Sequence, residues 1–136
     1  MASVEVSRHV DVSVETVESH LTPEVIIMNE GTFSVSDVDD SDGEIVVTAT
    51  APAITATFRF ERLNNGYYYE QEGTEGPFEE MATTISFAPS DGGTTITMTS
   101  DVSLGMRPNF LFDRIAGWKR RGELRRALRN LVLELQ

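Results

Sequence analysis

The sequence predicts an α+β domain: an antiparallel sheet of about seven strands followed by one long C-terminal helix. Three observations carry this. The first twelve residues, and the stretch from Phe33 to Met106, alternate apolar and polar side chains with a period of two, the pattern of half-buried strands. Turn tetrads rich in Gly, Asn and Asp interrupt that stretch at short intervals, so successive strands are hairpin-connected and antiparallel. From about Asn109 the apolar spacing changes to three or four and keeps that spacing to the last residues.

Strand 1 is VEVSRHVDV, in which Val4, Val6, Val10 and Val12 alternate with Glu5, Ser7, His9 and Asp11. Ser13 can cap a short helix whose apolar face is Val14, Val17 and Leu21. Thr22 and Pro23 start a second helix over Val25–Met28, because proline at the first helical position loses no hydrogen bond. Six strands follow, punctuated by Asp40–Gly43, Asn64–Gly66, Gly76-Pro77 and Ser90–Gly93, and by Pro52, which cannot donate to a strand ladder. In the final helix Leu111, Ile115 and Trp118 share one face. Leu124, Leu128, Leu131 and Leu135 share another, about 220° round at 100° per residue; either the helix bends near the glycines at 117 and 122, the favoured reading, or its two segments cover different surfaces.

At 136 residues the chain reads as a single domain, 1–136, with 40% hydrophobic residues and enough length to bury roughly 65–70% of its unfolded surface. It has no cysteine, which excludes disulfides, thiolate metal sites and cysteine nucleophiles. No apolar run is long enough to span a membrane, and the N-terminus lacks a basic-then-apolar leader pattern, so a soluble, cytoplasmic protein is expected.

The net charge is −11, from 22 acidic and 11 basic residues of which one is lysine. Scattered acids with almost no lysine resemble the surfaces of proteins from salt-loving organisms; at about 1 M salt the screening length is only about 3 Å, so their repulsion is damped. The competing reading is an acidic surface that docks a basic partner. Residues 107–136 run the other way, with eight basic against three acidic residues, net +5, while the first 106 hold three against nineteen, net −16. A basic helix clasped on its own acidic body is the expected arrangement. Nucleic acid is not an expected partner, because the body repels phosphates and no aromatics interleave the arginines.

The element order β-α-α-β-β-β-β-β-β-α resembles that of the START-like or Bet v 1-like superfamily (SRPBCC), which includes polyketide cyclase/dehydrase and lipid-transport proteins. The segments that carry the resemblance are TPEVIIMNEG (Thr22–Gly31), APAITATFRFE (Ala51–Glu61), GTTITMTSDVSLG (Gly93–Gly105) and GELRRALRNLVLEL (Gly122–Leu135). The first two look most like the branch of accessory proteins of carbon-monoxide dehydrogenase. The turn Ala51-Pro52-Ala53-Ile54 stands where that branch has Gly-Pro-Ile, and Glu30 where it has proline before the glycine. The resemblance implies a helix-grip fold, in which a curved sheet wraps the long helix around an apolar tunnel for a lipid, polyketide or similar ligand. The leucine stripe would then form one tunnel wall, and the arginines would face solvent or the acidic sheet rim.

Strand parity proposes the rest of the lining: Ile54, Ala56, Phe58 and Phe60; Tyr67, Tyr69 and Gln71; Met81, Thr83, Ile85 and Phe87; Ile96, Met98, Ser100, Val102, Leu104 and Met106. From these and the helix, the candidate ligand cavity is Arg8, Phe58, Phe60, Tyr69, Met81, Ile85, Met98, Ser100, Leu111, Ile115 and Trp118. Methionines beside small residues pack less densely than Leu and Ile would, which is why an open interior is expected. Arg8 has the inward parity of Val4, Val6 and Val10. It either pairs with a carboxylate at the tunnel end as a ligand anchor, or a bulge releases it to solvent.

No catalytic residue is assigned, and no metal or cofactor. His9 and His20 read as surface residues; HxxxH, HExxH, nucleophile-elbow and phosphate-loop patterns are absent. The pairs Asp39-Asp40 and Glu79-Glu80 fall at turns or strand starts, and one tyrosine of Tyr67–Tyr69 is a candidate for cyclase-type proton transfer. The expected function is binding, including transport, of a small hydrophobic molecule. The rivals are a cyclase/dehydrase enzyme and an accessory protein to a partner enzyme.

Overall fold

The computed structural model describes residues 1–41, 43–73, 78–105 and 109–136. Its elements are β1 (Ala2–Val10), α1 (Val14–His20), α2 (Pro23–Glu30), β2 (Ser34–Ser41), β3 (Glu44–Ala51), β4 (Ile54–Leu63), β5 (Gly66–Glu72), β6 (Glu80–Ser90), β7 (Gly93–Ser103) and α3 (Asn109–Leu135). The strands form one curved antiparallel sheet in the order β1-β7-β6-β5-β4-β3-β2, so β1 and β2 are its free edges. Met106 and the Gly76-Pro77 break lie outside the described residues.

Local chemistry sets the boundaries. Ser13 Oγ accepts from the Thr16 amide and Thr22 Oγ1 from the Val25 amide, so each short helix starts with a side chain serving an orphan N–H. α2 stops at Gly31, whose φ of 82° closes the helix in the left-handed region. A Cβ there would also come within 2.7 Å of Arg126 Cδ, so glycine is needed both for backbone and for space. Arg126 Nη1 donates to Glu30 O and Asn130 Nδ2 to Asn29 O, satisfying the last carbonyls of α2 from α3. Pro52 falls in the β3–β4 turn, and Gly66 opens β5 where a side chain would strike the Ile85 carbonyl.

α3 runs uninterrupted through Gly117 and Gly122. Its inward stripe is Asp113, Ala116, Gly117, Arg120, Glu123, Leu124, Ala127, Leu128, Leu131 and Val132, all buried, and it packs along β1 and β7. Gly117 lets the helix approach β1 closely, since a Cβ at that position would lie 3.0 Å from Ala2 Cβ. The change of apolar phase reflects which face is covered. Leu111, Ile115 and Trp118 project to solvent, with relative exposures of 47%, 46% and 77%, while the leucines at 124, 128 and 131 face the sheet.

The core lies between the sheet and α3 and continues beneath α1 and α2 through Val17, Leu21, Ile26 and Ile27. Truncating Leu124, fully buried, is expected to cost about 2–5 kcal/mol. Leu133→Ala, on the exposed side of the same helix, should stay within about 0.5 kcal/mol. Urea unfolding of the two variants checks the assignment of faces.

Candidate functional site

Five residues from five elements meet around one cation. Arg120, from the inward stripe of α3, has a side chain only 1% exposed. Its Nη1 donates to Glu30 Oε1 at 2.5 Å and Nη2 to Glu30 Oε2 at 3.2 Å, a two-pronged contact with the last residue of α2. Nη1 also reaches Glu123 Oε1 at 3.3 Å, three residues along α3. Nη2 further donates to Tyr69 Oη on β5 at 3.2 Å and Thr83 Oγ1 on β6 at 2.8 Å, and Nε donates to Ser100 Oγ on β7 at 3.1 Å. Tyr69 Oη donates in turn to Glu30 Oε2 at 2.5 Å, and Thr32 Oγ1 donates to Glu123 Oε2.

Strand parity delivers these groups. Tyr69, Thr83 and Ser100 lie on the inward face of adjacent strands, with Tyr69 opposite Thr83 and Thr83 opposite Ser100. Thr83 and Ser100 are bonded at 2.8 Å, and Thr83 Oγ1 also contacts Met81 Sδ at 3.0 Å. Phe60 stacks on Tyr69 with ring centroids 4.5 Å apart, fixing the phenol from the β4 side.

The electrostatics follow from burial. Desolvation, the largest single influence on Arg120, acts to lower its pKa; the attraction of Glu30 foremost, with Tyr69 and Glu123, outweighs it and holds the guanidinium charged. Tyr69 is pushed well above the ordinary tyrosine value, first by burial and then by the negative charge of Glu30. It therefore stays a neutral hydroxyl. The arrangement can bind and orient a polar group, but its tyrosine is a poorer proton donor than a solvated one.

The sequence-predicted residues divide in two. Phe58, Phe60, Tyr69, Met81, Ile85, Met98 and Ser100 are buried in the interior, and Tyr69 and Ser100 touch Arg120. Leu111, Ile115 and Trp118 do not line the interior; they occupy the outer face of α3. Arg8 keeps inward parity with no register shift along β1, yet it is exposed, because it lies toward the end of an edge strand beside the flank of α3. Neither the buried anchor nor the bulge describes it.

The expectation that the arginines face solvent or the sheet rim fails at Arg120, the largest fully buried side chain. Of the basic residues of α3, Arg120 is the one seen in an ion pair with a carboxylate among the described residues. Arg120, Glu30 and Glu123 were not among the sequence candidates. The signal was present in Arg120, which stands four residues before Leu124 and so in phase with the leucine stripe. The space expected to be open holds this cluster. His9 and His20 sit at the surface beside Asp11 and Glu134. Among the described residues no group of three His, Asp or Glu side chains could hold a metal, and no helix is long and apolar enough to cross a membrane.

A curved seven-stranded antiparallel sheet gripping a long C-terminal helix, with two short helices after the first strand, defines a helix-grip domain. The chain belongs to the polyketide cyclase/dehydrase and lipid transport family, whose model matches residues 1–136. Similar solved structures include the ZhuI aromatase/cyclase from Streptomyces sp. R1128, at TM-score 0.73 and 14% identity over 99% of this chain and 96% of that one. The protein XoxI from Bacillus cereus matches at TM-score 0.77 and 15% identity, covering 99% and 96%. A START superfamily protein from Mycobacterium smegmatis matches at TM-score 0.69 and 15% identity, covering 98% and 99%. At these identities the likeness is one of fold. No match is found among proteins of curated function.

Two outcomes check the site. Arg120→Leu leaves Glu30 and Glu123 buried without their cation and is expected to destabilise the fold by about 3–5 kcal/mol in denaturant titration. Tyr69 has a raised pKa, so its contribution to stability is complete below about pH 10, the unfolded tyrosine value, and is lost as pH rises beyond it. Alkaline absorbance titration should show the Tyr69 phenolate forming only with unfolding, and Tyr69→Phe should flatten the fall of stability above about pH 10.

Proposed function

We propose that the protein binds a small, mainly apolar molecule between α3 and the sheet, reading a hydroxyl or carbonyl on it with the Arg120–Tyr69–Thr83–Ser100 cluster. The observation that carries this reading is the cluster itself. An apolar core of the same volume would be as stable or more so without a buried ion pair, so stability alone gives little reason for these groups. They stand in the interior where the family resemblance implies a ligand. Met81, in contact with Thr83, and Met98, two residues before Ser100 on the same face of β7, are buried, unbranched side chains that repack at small cost. Entry of a ligand requires this interior to rearrange, with the guanidinium exchanging one protein oxygen for one from the ligand.

A cyclase reading draws support from the same atoms, since Tyr69, Arg120 and Glu30 form a hydrogen-bonded chain facing the interior. Two features favour binding over turnover. The Tyr69 proton is already committed to Glu30, and its pKa is raised, which opposes proton donation near neutrality. An accessory role beside a partner enzyme is a narrower form of the binding reading. It draws on the likeness of Thr22–Gly31 and Ala51–Glu61 to the carbon-monoxide dehydrogenase accessory branch.

Methionine-methyl NMR tests the proposal with a long-chain fatty acid and a naphthol as probes. The methyl signals of buried Met81 and Met98 are expected to shift saturably while those of exposed Met1 and Met28 do not, and Tyr69→Phe should weaken binding of the naphthol several-fold. Native mass spectrometry of protein purified from its own cells in strong salt should show an extractable added mass of a few hundred daltons. Unmoved interior methyls together with an unliganded native mass would overturn the reading.

A further inference from the structure

The sides of β1 and α3 enclose a second cleft of about 430 Å³, apart from the buried cluster. Its charged lining is Arg8 from β1 and Arg125 and Arg129 from α3, one helical turn apart, with Glu5 as the single acid. Val6 and Leu128 supply its apolar wall and Ser7 a hydroxyl. In a chain with 22 acidic and 11 basic residues, three guanidiniums gather on this one cleft. Arg59, Arg62 and Arg120 each contact carboxylates, whereas Arg8, Arg125 and Arg129 form no ion pair or side-chain hydrogen bond among the described residues.

Like charges held on one concave surface repel one another, and a counter-charge between them relieves that repulsion. With three guanidiniums and one carboxylate the lining carries a formal +2. Guanidinium forks match the paired oxygens of carboxylate and phosphate, and a cleft of this volume lies in the range that holds small ligands. The apolar wall suits a short hydrocarbon portion. The acidic remainder of the molecule repels long polyanions, which selects for a compact ligand.

We propose that this cleft binds a small organic dianion, a dicarboxylate or a phosphate monoester, held by Arg8, Arg125 and Arg129. The site is independent of the interior reading, and its occupation leaves Met81 and Met98 undisturbed.

The probes are succinate and inorganic phosphate, each titrated into the labelled full chain at ionic strength held constant with sodium chloride. Arginine Nε–H and backbone amide signals report the response. Saturable shifts confined to β1 and the second half of α3 are expected with at least one probe, and the better probe identifies which oxyanion chemistry the cleft prefers. Arg8→Gln combined with Arg129→Gln should weaken that binding at least tenfold with an unchanged melting temperature, since both side chains are exposed. Shifts that follow ionic strength alone, or equal affinity in the double variant, would overturn the proposal. Shifts at the Met81 and Met98 methyls with succinate would assign the anion to the interior and equally defeat it.

Discussion

The burial of one guanidinium organises this molecule. Arg120 ties α3 to α2 through Glu30 and to three adjacent strands through Tyr69, Thr83 and Ser100. A stripe of Leu124, Leu128 and Leu131 against an apolar sheet sets how strongly the helix is held, but hydrophobic contact is not directional, and a shift by one turn would bury much the same area. Hydrogen bonds from a planar fork are directional. Displacing α3 along the sheet would strand a cation among hydrocarbon, at a cost far above that of a lost methyl contact.

The same cluster shapes what the interior can do. It contains one guanidinium and two carboxylates, and the hydroxyls of Tyr69 and Thr32 donate to those carboxylates and spread the excess negative charge. Glu30 is both the last residue of α2 and the main counter-ion, and its backbone carbonyl is capped by Arg126. One residue thus ends a helix, neutralises a buried cation and accepts a phenol hydrogen bond, so its place is fixed from three sides. A ligand group that took over one of these contacts would act on the other two.

Much of the fold was legible because it rests on period and punctuation. Thr22-Pro23 began α2, Pro52 separated β3 from β4, and Asn64–Gly66 and Ser90–Gly93 turned the hairpins, each for a reason of local backbone chemistry. Inward parity on β4 to β7 placed Phe58, Tyr69, Met81, Ile85 and Met98. The site was less legible. Arg120 lies in the run Lys119-Arg120-Arg121, which reads as a solvated patch, and only its phase with Leu124 distinguished it. Its partner Glu30 is ninety residues away, a pairing no local pattern encodes. The error at Leu111, Ile115 and Trp118 was of the opposite kind: an apolar trio at helical spacing looks like a core face, but a helix lying on a single sheet has only one buried side.

The open ends of the sheet are treated differently. α3 packs along β1, whereas β2 stays exposed along nearly its whole length. Asp37, Asp39 and Asp40 crowd that outer strand, and its pairing with β3 slips between Val35 and Asp37. A second molecule trying to extend the ladder from this border would meet carboxylates and a kinked backbone. The surplus of acid that looks wasteful in the composition therefore acts here as a guard against self-templated stacking.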